Sequence, residues 1–127
     1  IQAECEFSDV TSGDWFYSYI ASANKVGVVS GISQDSFGVG KPVTRQDVAL
    51  IGARLLDYLK GTNKATLKSA TTSFADNGAI AEYAMPGVSA LVDMGIINGF
   101  DDNTFRPADF LTRAQAAKII YMIRARI

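Results

Sequence analysis

Gly95-Ile96-Ile97-Asn98-Gly99-Phe100-Asp101-Asp102-Asn103-Thr104-Phe105-Arg106-Pro107, running on through Ala108-Asp109-Phe110-Leu111-Thr112-Arg113-Ala114-Gln115-Ala116-Ala117-Lys118, is the stretch that decides the fold. It joins a glycine-bounded apolar run to a turn sequence and then to a helix start led by threonine. The same frame occurs earlier as Gly27, Val28, Val29, Ser30, Gly31, Ile32, then Phe37, Val43, Thr44, Arg45, Gln46, Asp47, Val48 and Ala49. The chain is a tandem repeat.

Outward from that stretch, each copy reads as helix, short extended segment, loop, helix. In the first copy, Phe7-Ser8-Asp9 opens the repeat, and Phe16, Tyr19, Ile20 and Ala23 recur at helical spacing as far as Val26. Asp14 is expected as its N-cap, Gly27 as its stop, and Trp15 as a core aromatic just inside the helix. Val28 to Ile32 is expected to be extended, and a second helix follows Thr44 with Val48, Ile51, Leu55 and Leu59 as its apolar stripe. Asp47 stands three residues after the Thr44 cap, in reach of its N–H.

In the second copy, Phe74-Ala75-Asp76 answers the opening and Tyr83 takes the place of Trp15. Pro86 falls in the first turn of a helix that buries Val88, Leu91 and Met94. Thr112 and Gln115 form a capping box for a last helix with the stripe Ala116, Ile119, Ile120, Ile123 and Ile127. The expected organisation is a lead and first repeat over 1–61, a polar linker over 62–73, and a second repeat over 74–127. The fold class is all-α.

Composition narrows the function classes. The 127 residues, 48% of them apolar, can bury about two thirds of the surface that the unfolded chain exposes. The net charge of −1 comes without long like-charge runs, so neither nucleic acid nor a polybasic membrane contact is expected. The absence of histidine and the single cysteine, Cys5, leave no Ser-His or Cys-His dyad, no histidine or Cys₄ zinc site and no intrachain disulfide. No apolar run approaches the roughly 18 residues of a membrane span, so no membrane insertion is expected. No segment reads as a signal peptide, and the start at Ile1 reads as a processed chain or an excised fragment. Asp101, Asp102 and Asn103 lack the spaced ligands of a calcium loop, and Asp14, Asp76 and Glu82 have no spacing that makes a glycosidase pair. No enzyme activity, metal or cofactor is expected.

Arg45 and Arg113 break a local rule twice at matching places. Each follows a threonine cap, Thr44 or Thr112, at a helix N-terminus where a cation is disfavoured by about 0.3 to 1 kcal/mol. Free N–H groups with an added guanidinium make an anion receptor, and a planar carboxylate suits the guanidinium fork. The plainer alternative pairs each arginine with a carboxylate of its own fold, such as Asp9 or Asp76. Gly31 and Gly99 either let backbone approach a ligand or supply positive φ in a turn.

These pieces, in the same order twice, resemble the S-layer homology (SLH) family. They are the Phe-x-Asp openings with a downstream Trp or Tyr, the Gly-Val-Val-Ser-Gly-Ile and Gly-Ile-Ile-Asn-Gly-Phe segments, Asp102-Asn103-Thr104-Phe105-Arg106-Pro107, and Thr-Arg-Gln-Asp and Thr-Arg-Ala-Gln. The resemblance implies a non-catalytic module outside the cell, at the bacterial cell wall or cell surface, that anchors a larger exported protein. It implies an acidic ligand, a secondary cell-wall polymer with a pyruvate ketal on an N-acetylhexosamine, or modified peptidoglycan in relatives with an outer membrane. It also implies a pseudo-threefold helical bundle with ligand grooves between neighbouring repeats. Arg45 and Arg113 are then the carboxylate clamps, Gly31, Gly99 and Phe100 shape the groove walls, and Trp15 and Tyr83 are candidates to stack on a sugar.

This chain departs from the family pattern in two ways. It shows two repeats where three are usual, so a third was cut away, two suffice, or a second chain completes the bundle. In the first repeat Gln34 to Lys41 lacks the Arg-Pro pair, and Lys41 stands at a different position. The competing expectation is a helical protein-interaction or self-assembly module that leaves an apolar face exposed.

Overall fold

A computed structural model describes residues 5–66 and 71–126. These described residues form four α-helices: α1 Tyr17–Lys25, α2 Arg45–Lys60, α3 Met85–Asp93 and α4 Arg113–Arg124. Short 3₁₀ turns occupy Asn77–Ala79 and Glu82–Ala84. Among the described residues there is no strand, only an isolated antiparallel bridge between Thr44 and Phe110. The all-α class is what the repeat pattern called for. The chain forms two compact units, Ile1–Lys41 and Pro42–Ile127.

In the first unit the Asp9 carboxylate gathers the loop, accepting the backbone N–H groups of Phe37 (2.8 Å), Gly38 (2.8 Å) and Val39 (2.9 Å). These N–H bonds hold its pKa down at about 2. Phe7 packs against Phe37 with ring centroids 5.5 Å apart. A Cβ on Gly31 would stand 2.4 Å from the Ser36 carbonyl and 2.6 Å from the Phe7 ring, so only glycine lets the opening and the loop close together. Left-handed φ belongs instead to Gly27, which ends α1, and to Gly95 after α3. The turn role weighed for Gly31 and Gly99 is therefore corrected.

Asp14 is not the cap of α1. Its carboxylate accepts the N–H and hydroxyl of Thr11, closing a turn before the helix, and α1 starts only at Tyr17 without a side-chain cap. Trp15 is 81% exposed and Tyr19 70%, so both corrections run the same way. Among the described residues of its unit α1 is the one helix, and with no second helix laid across it there only Ala21 is buried along its length.

The core of the second unit is α2 packed on α3, closed by α4 and by Ile80, Ile96, Ile97 and Phe105. The α2 seam is made of small residues. A Cβ on Gly87 would lie 2.9 Å from Cα of Leu50, and one on Gly52 would lie 2.8 Å from the Leu91 side chain. The helices therefore meet almost backbone to backbone. This turns the expected α2 stripe by one position: Ala49, Ala53 and Leu56 are buried, Val48, Ile51 and Leu55 are half-buried, and Leu59 is exposed. Along α3, Val88 and Leu91 are buried as expected, with Pro86 in the first turn. Along α4, Ile119 and Ile123 are buried but Ile120 is 68% exposed, because only one edge of the helix meets the core. Ile127 lies outside the described residues.

The helix ends bear out the threonine caps. Thr44 Oγ1 accepts from the Asp47 N–H at 3.3 Å, and Thr112 with Gln115 forms the reciprocal box. Asp47 does not turn back to its cap, however; its carboxylate accepts the Tyr83 hydroxyl. At the far end of α2, buried Asp57 accepts the N–H groups of Ala65 and Thr66 and the Thr66 hydroxyl, which pins the start of the segment expected as linker. Residues 67–70 of that segment lie outside the described part.

Candidate functional site

The site is built where the start of α2 meets the loop before α4. Arg45, the first residue of α2, donates its backbone N–H to the Asp109 carbonyl (2.8 Å), and Gln46 donates to that of Pro107 (3.1 Å). With Asp47 N–H on Thr44 Oγ1 and Val48 N–H on the Thr44 carbonyl, every first-turn donor of α2 has a protein acceptor. The expectation of free N–H groups there is corrected: loop carbonyls from the second repeat have taken them.

The Arg45 side chain turns inward and is 3% exposed. Nε donates to the Phe105 carbonyl and Nη2 to that of Asn98, both at 2.8 Å. Its Cζ lies 4.7 Å from the Phe100 ring centroid and 4.9 Å from that of Phe105. Burial pulls its pKa below the ordinary arginine value; the field of Asp109 resists, Arg106 adds to the fall, and Asp76 resists. Neither Asp9 nor Asp76 makes the ion pair considered for it. Asp76 accepts the N–H groups of Phe105 and Arg106, both at 2.8 Å, as Asp9 does in the first repeat. Among the described residues no carboxylate lies within ion-pair distance of Arg45.

Arg45 opens onto a pocket of about 190 Å³ lined by Ile96, Ile97, Asn98, Gly99 and Phe100 on one side and by Gln115, Lys118 and Ile119 of α4 on the other. Gly99 is needed for closure, since a Cβ there would stand 2.3 Å from the Phe74 ring and 2.9 Å from the Thr104 carbonyl. Phe100 carries a second guanidinium, with Cζ of Arg106 3.9 Å from the ring centroid. Arg106 is held in turn by Asp102 (3.3 Å) and Thr104 Oγ1 (3.2 Å). The Thr104 contacts, followed by Arg106, keep the Asp102 carboxyl below its usual range.

Of the residues singled out in the sequence, Arg45, Gly99 and Phe100 meet at this pocket, with Thr44 as the adjoining cap. Thr112 and exposed Arg113 begin α4 and do not line it. Tyr83 does not line it either; its hydroxyl bonds Asp47 at 2.6 Å, which pushes its pKa up to about 12. Asp9, Trp15 and Gly31 belong to the first unit. The lining residues missed from the sequence are Ile96, Ile97, Asn98, Gln115, Lys118 and Ile119. The spacing of the last three at i, i+3 and i+4 was a readable sign that they share a helix face. Among the described residues no group of three or more acidic or cysteine side chains is placed to hold a metal ion, and no helix is long and apolar enough to cross a membrane.

Known proteins carry the same frame. The chain is 35% identical over 116 residues to an exoglucanase, XynX, of Acetivibrio thermocellus, which covers 91% of this chain and 10% of that protein. It is 34% identical to an amylopullulanase of Thermoanaerobacterium thermosulfurigenes, over 91% of this chain and 6% of the relative. It is 25% identical to a cellulosome-anchoring protein of Acetivibrio thermocellus, over 90% of this chain and 25% of the relative. The chain thus spans a tenth or less of the first two relatives. The family model of the S-layer homology domain matches residues 6–49 and again 73–117. The chain therefore belongs to the S-layer homology domain family, the non-catalytic anchoring modules of the cell surface and cell wall.

Proposed function

We propose that this chain anchors a larger exported protein by binding an acidic cell-wall glycan, a pyruvylated secondary polymer or modified peptidoglycan, through its arginines at helix starts. The observation that carries this reading is the Arg45 guanidinium. It is buried at a pocket, its Nε and Nη2 donating to carbonyls, and among the described residues no carboxylate lies within ion-pair distance of it. A buried cation that Asp109 and Asp76 compensate only from a distance is costly, and an anion entering the pocket offsets that cost. Arg113, with its Thr112 cap, is the matching clamp of the second copy.

No catalysis by this chain is part of the reading. Asp9 and Asp76 are occupied by backbone N–H groups, Asp57 by the 62–66 turn and Asp47 by Tyr83. The relatives named as enzymes are far longer than the region they share with it.

The test is co-sedimentation with purified sacculi, intact or stripped of secondary polymer, using the native chain, Arg45→Lys and Arg113→Ala, each checked for folding by circular dichroism. Binding that needs the polymer and falls with the arginine variants is the expected result. Undiminished binding by folded Arg45→Lys and Arg113→Ala overturns the clamp. A second reading, self-association or protein docking, draws on Ile120 and Tyr121 of α4, 68% and 69% exposed. It predicts a concentration-dependent mass in sedimentation velocity that charge-altering arginine variants leave unchanged.

A further inference from the structure

Arg45 cannot grip a carboxylate with the side edge of its guanidinium fork. The Nε and Nη2 edge is already spent on the Phe105 and Asn98 carbonyls. Nη1 has no acceptor among the described residues and Nη2 keeps a second N–H, so only the terminal end of the guanidinium remains to receive an anion. A carboxylate received there keeps lone pairs that Arg45 does not take, and these are open to a donor from another part of the pocket wall.

Lys118 stands on that wall, one turn along α4 from Gln115. Among the described residues it is the other cationic side chain lining the pocket, and no carboxylate lines it. We propose that Lys118 is a specificity-determining residue, its ammonium taking one oxygen of an anion whose other oxygen rests on Nη1 of Arg45. The site is thus a two-cation clamp assembled from α2 and α4. This inference rests on the glycan reading above and specifies how the acidic group is held.

Two further observations fit. The matching residue of the first repeat is Leu50, so the second cation is a property of this copy of the frame and not of the repeat as such. The pocket, at about 190 Å³, is smaller than the roughly 300 to 1,000 Å³ of ordinary ligand sites, so it encloses one acidic sugar or its substituent and not a run of polymer. Ile96, Ile97 and Ile119 give that substituent apolar walls, which favours a carboxylate on a compact carbon frame over a fully hydrated anion.

The experiment is calorimetric titration of soluble acidic wall polymer into the native chain, Lys118→Met and Lys118→Arg, at low and high salt. The same polymer with its carboxyl groups amidated by carbodiimide is the control ligand. Lys118→Met keeps the apolar stem on an exposed helix position and is expected to fold. Its affinity for the acidic polymer should fall about tenfold, with a flatter salt dependence, and Lys118→Arg should restore most of both. The amidated polymer should bind weakly and equally to all three. Native-like binding of the acidic polymer by Lys118→Met overturns the role of Lys118 and leaves the Arg45 reading standing. Failure of the native chain to bind, or equal binding of acidic and amidated polymer, overturns both.

Discussion

The Tyr83 hydroxyl donates to the Asp47 carboxylate at 2.6 Å, tying the 3₁₀ turn before α3 to the first turn of α2. Gln46 makes a second tie nearby, accepting the Ala81 N–H at 2.8 Å. The α2 start therefore holds two things at once: the Arg45 pocket through its inward side, and the approach to α3 through its outward side. The carboxylate stabilises the neutral phenol, and the Tyr83 pKa rises to about 12. Because the folded value lies above the unfolded one of about 10, this stabilisation is complete below pH 10 and is lost as pH climbs from about 10 to about 12. Tyr83 should appear as a late step in a spectrophotometric tyrosinate titration. Tyr83→Phe should remove that late step and cost about 0.5 to 1.5 kcal/mol in urea unfolding.

Acid should weaken the first unit through Asp9. Its folded pKa, about 2, lies below the ordinary aspartate value of 3.8, so its contribution is present above pH 4 and is lost as pH falls towards 2. Asp9→Asn should lower stability at neutral pH and flatten the loss between pH 4 and 2. The amide replaces one acceptor oxygen with a donor that faces the N–H groups of Gly38 and Val39. Chemical-shift titration of those two amides is the direct check; an unchanged titration in the variant would refute the assignment.

Much of this was legible from the sequence because it is local. The Thr112–Gln115 box, the glycine stops at Gly27 and Gly95, and the repeat itself depend on residues a few positions apart. What was not legible depends on distance between elements. The α2 seam was misplaced by one position because a search for large apolar residues passes over Ala49, Gly52 and Ala53, which are chosen for how closely α3 approaches. Trp15 reads as a core aromatic by its chemistry, yet among the described residues of its unit no second helix covers it. Phe-x-Asp was noticed as a motif, but its work, a ring on glycine and a carboxylate on loop N–H groups, appears only when residues about 28 positions apart meet. Arg45 was found from the helix start, whereas Lys118 needed the helix to be turned towards the pocket.

Gly99 should tolerate no side chain. Gly99→Ala would bring a Cβ 2.3 Å from the Phe74 ring and 2.9 Å from a backbone carbonyl, and relief requires Phe74 to leave its packing on Phe105. A loss of about 1 to 3 kcal/mol in urea unfolding is expected. Gly78→Ala is the matched control, with nothing within 4 Å of its new Cβ and no left-handed φ, and it should be neutral or stabilising by up to about 1 kcal/mol. Equal effects of the two variants would show that the close approach at Gly99 is not what demands glycine.

Arg106 separates backbone strain from side-chain contact. Its φ of 58° is left-handed, and the matching residue of the first repeat is Gly38, with φ 93°. A non-glycine residue there costs about 1 to 2 kcal/mol. Against that cost, the guanidinium stacks on Phe100 and pairs with Asp102, contacts worth about 0.5 to 1 and 0.3 to 0.5 kcal/mol when exposed to solvent. Arg106→Ala loses the contacts and keeps the strain, whereas Arg106→Gly loses the contacts and releases it. The glycine variant should therefore be the more stable of the two by about 1 kcal/mol, a difference of a few degrees in Tm, and nearer to the native chain. Both should bind acidic polymer more weakly than the native chain, because Phe100, pressed between Arg106 and Arg45, loses the outer of its two guanidiniums. If binding is untouched in both, Arg106 serves the loop alone and the Phe100 wall is held by the rest of the pocket.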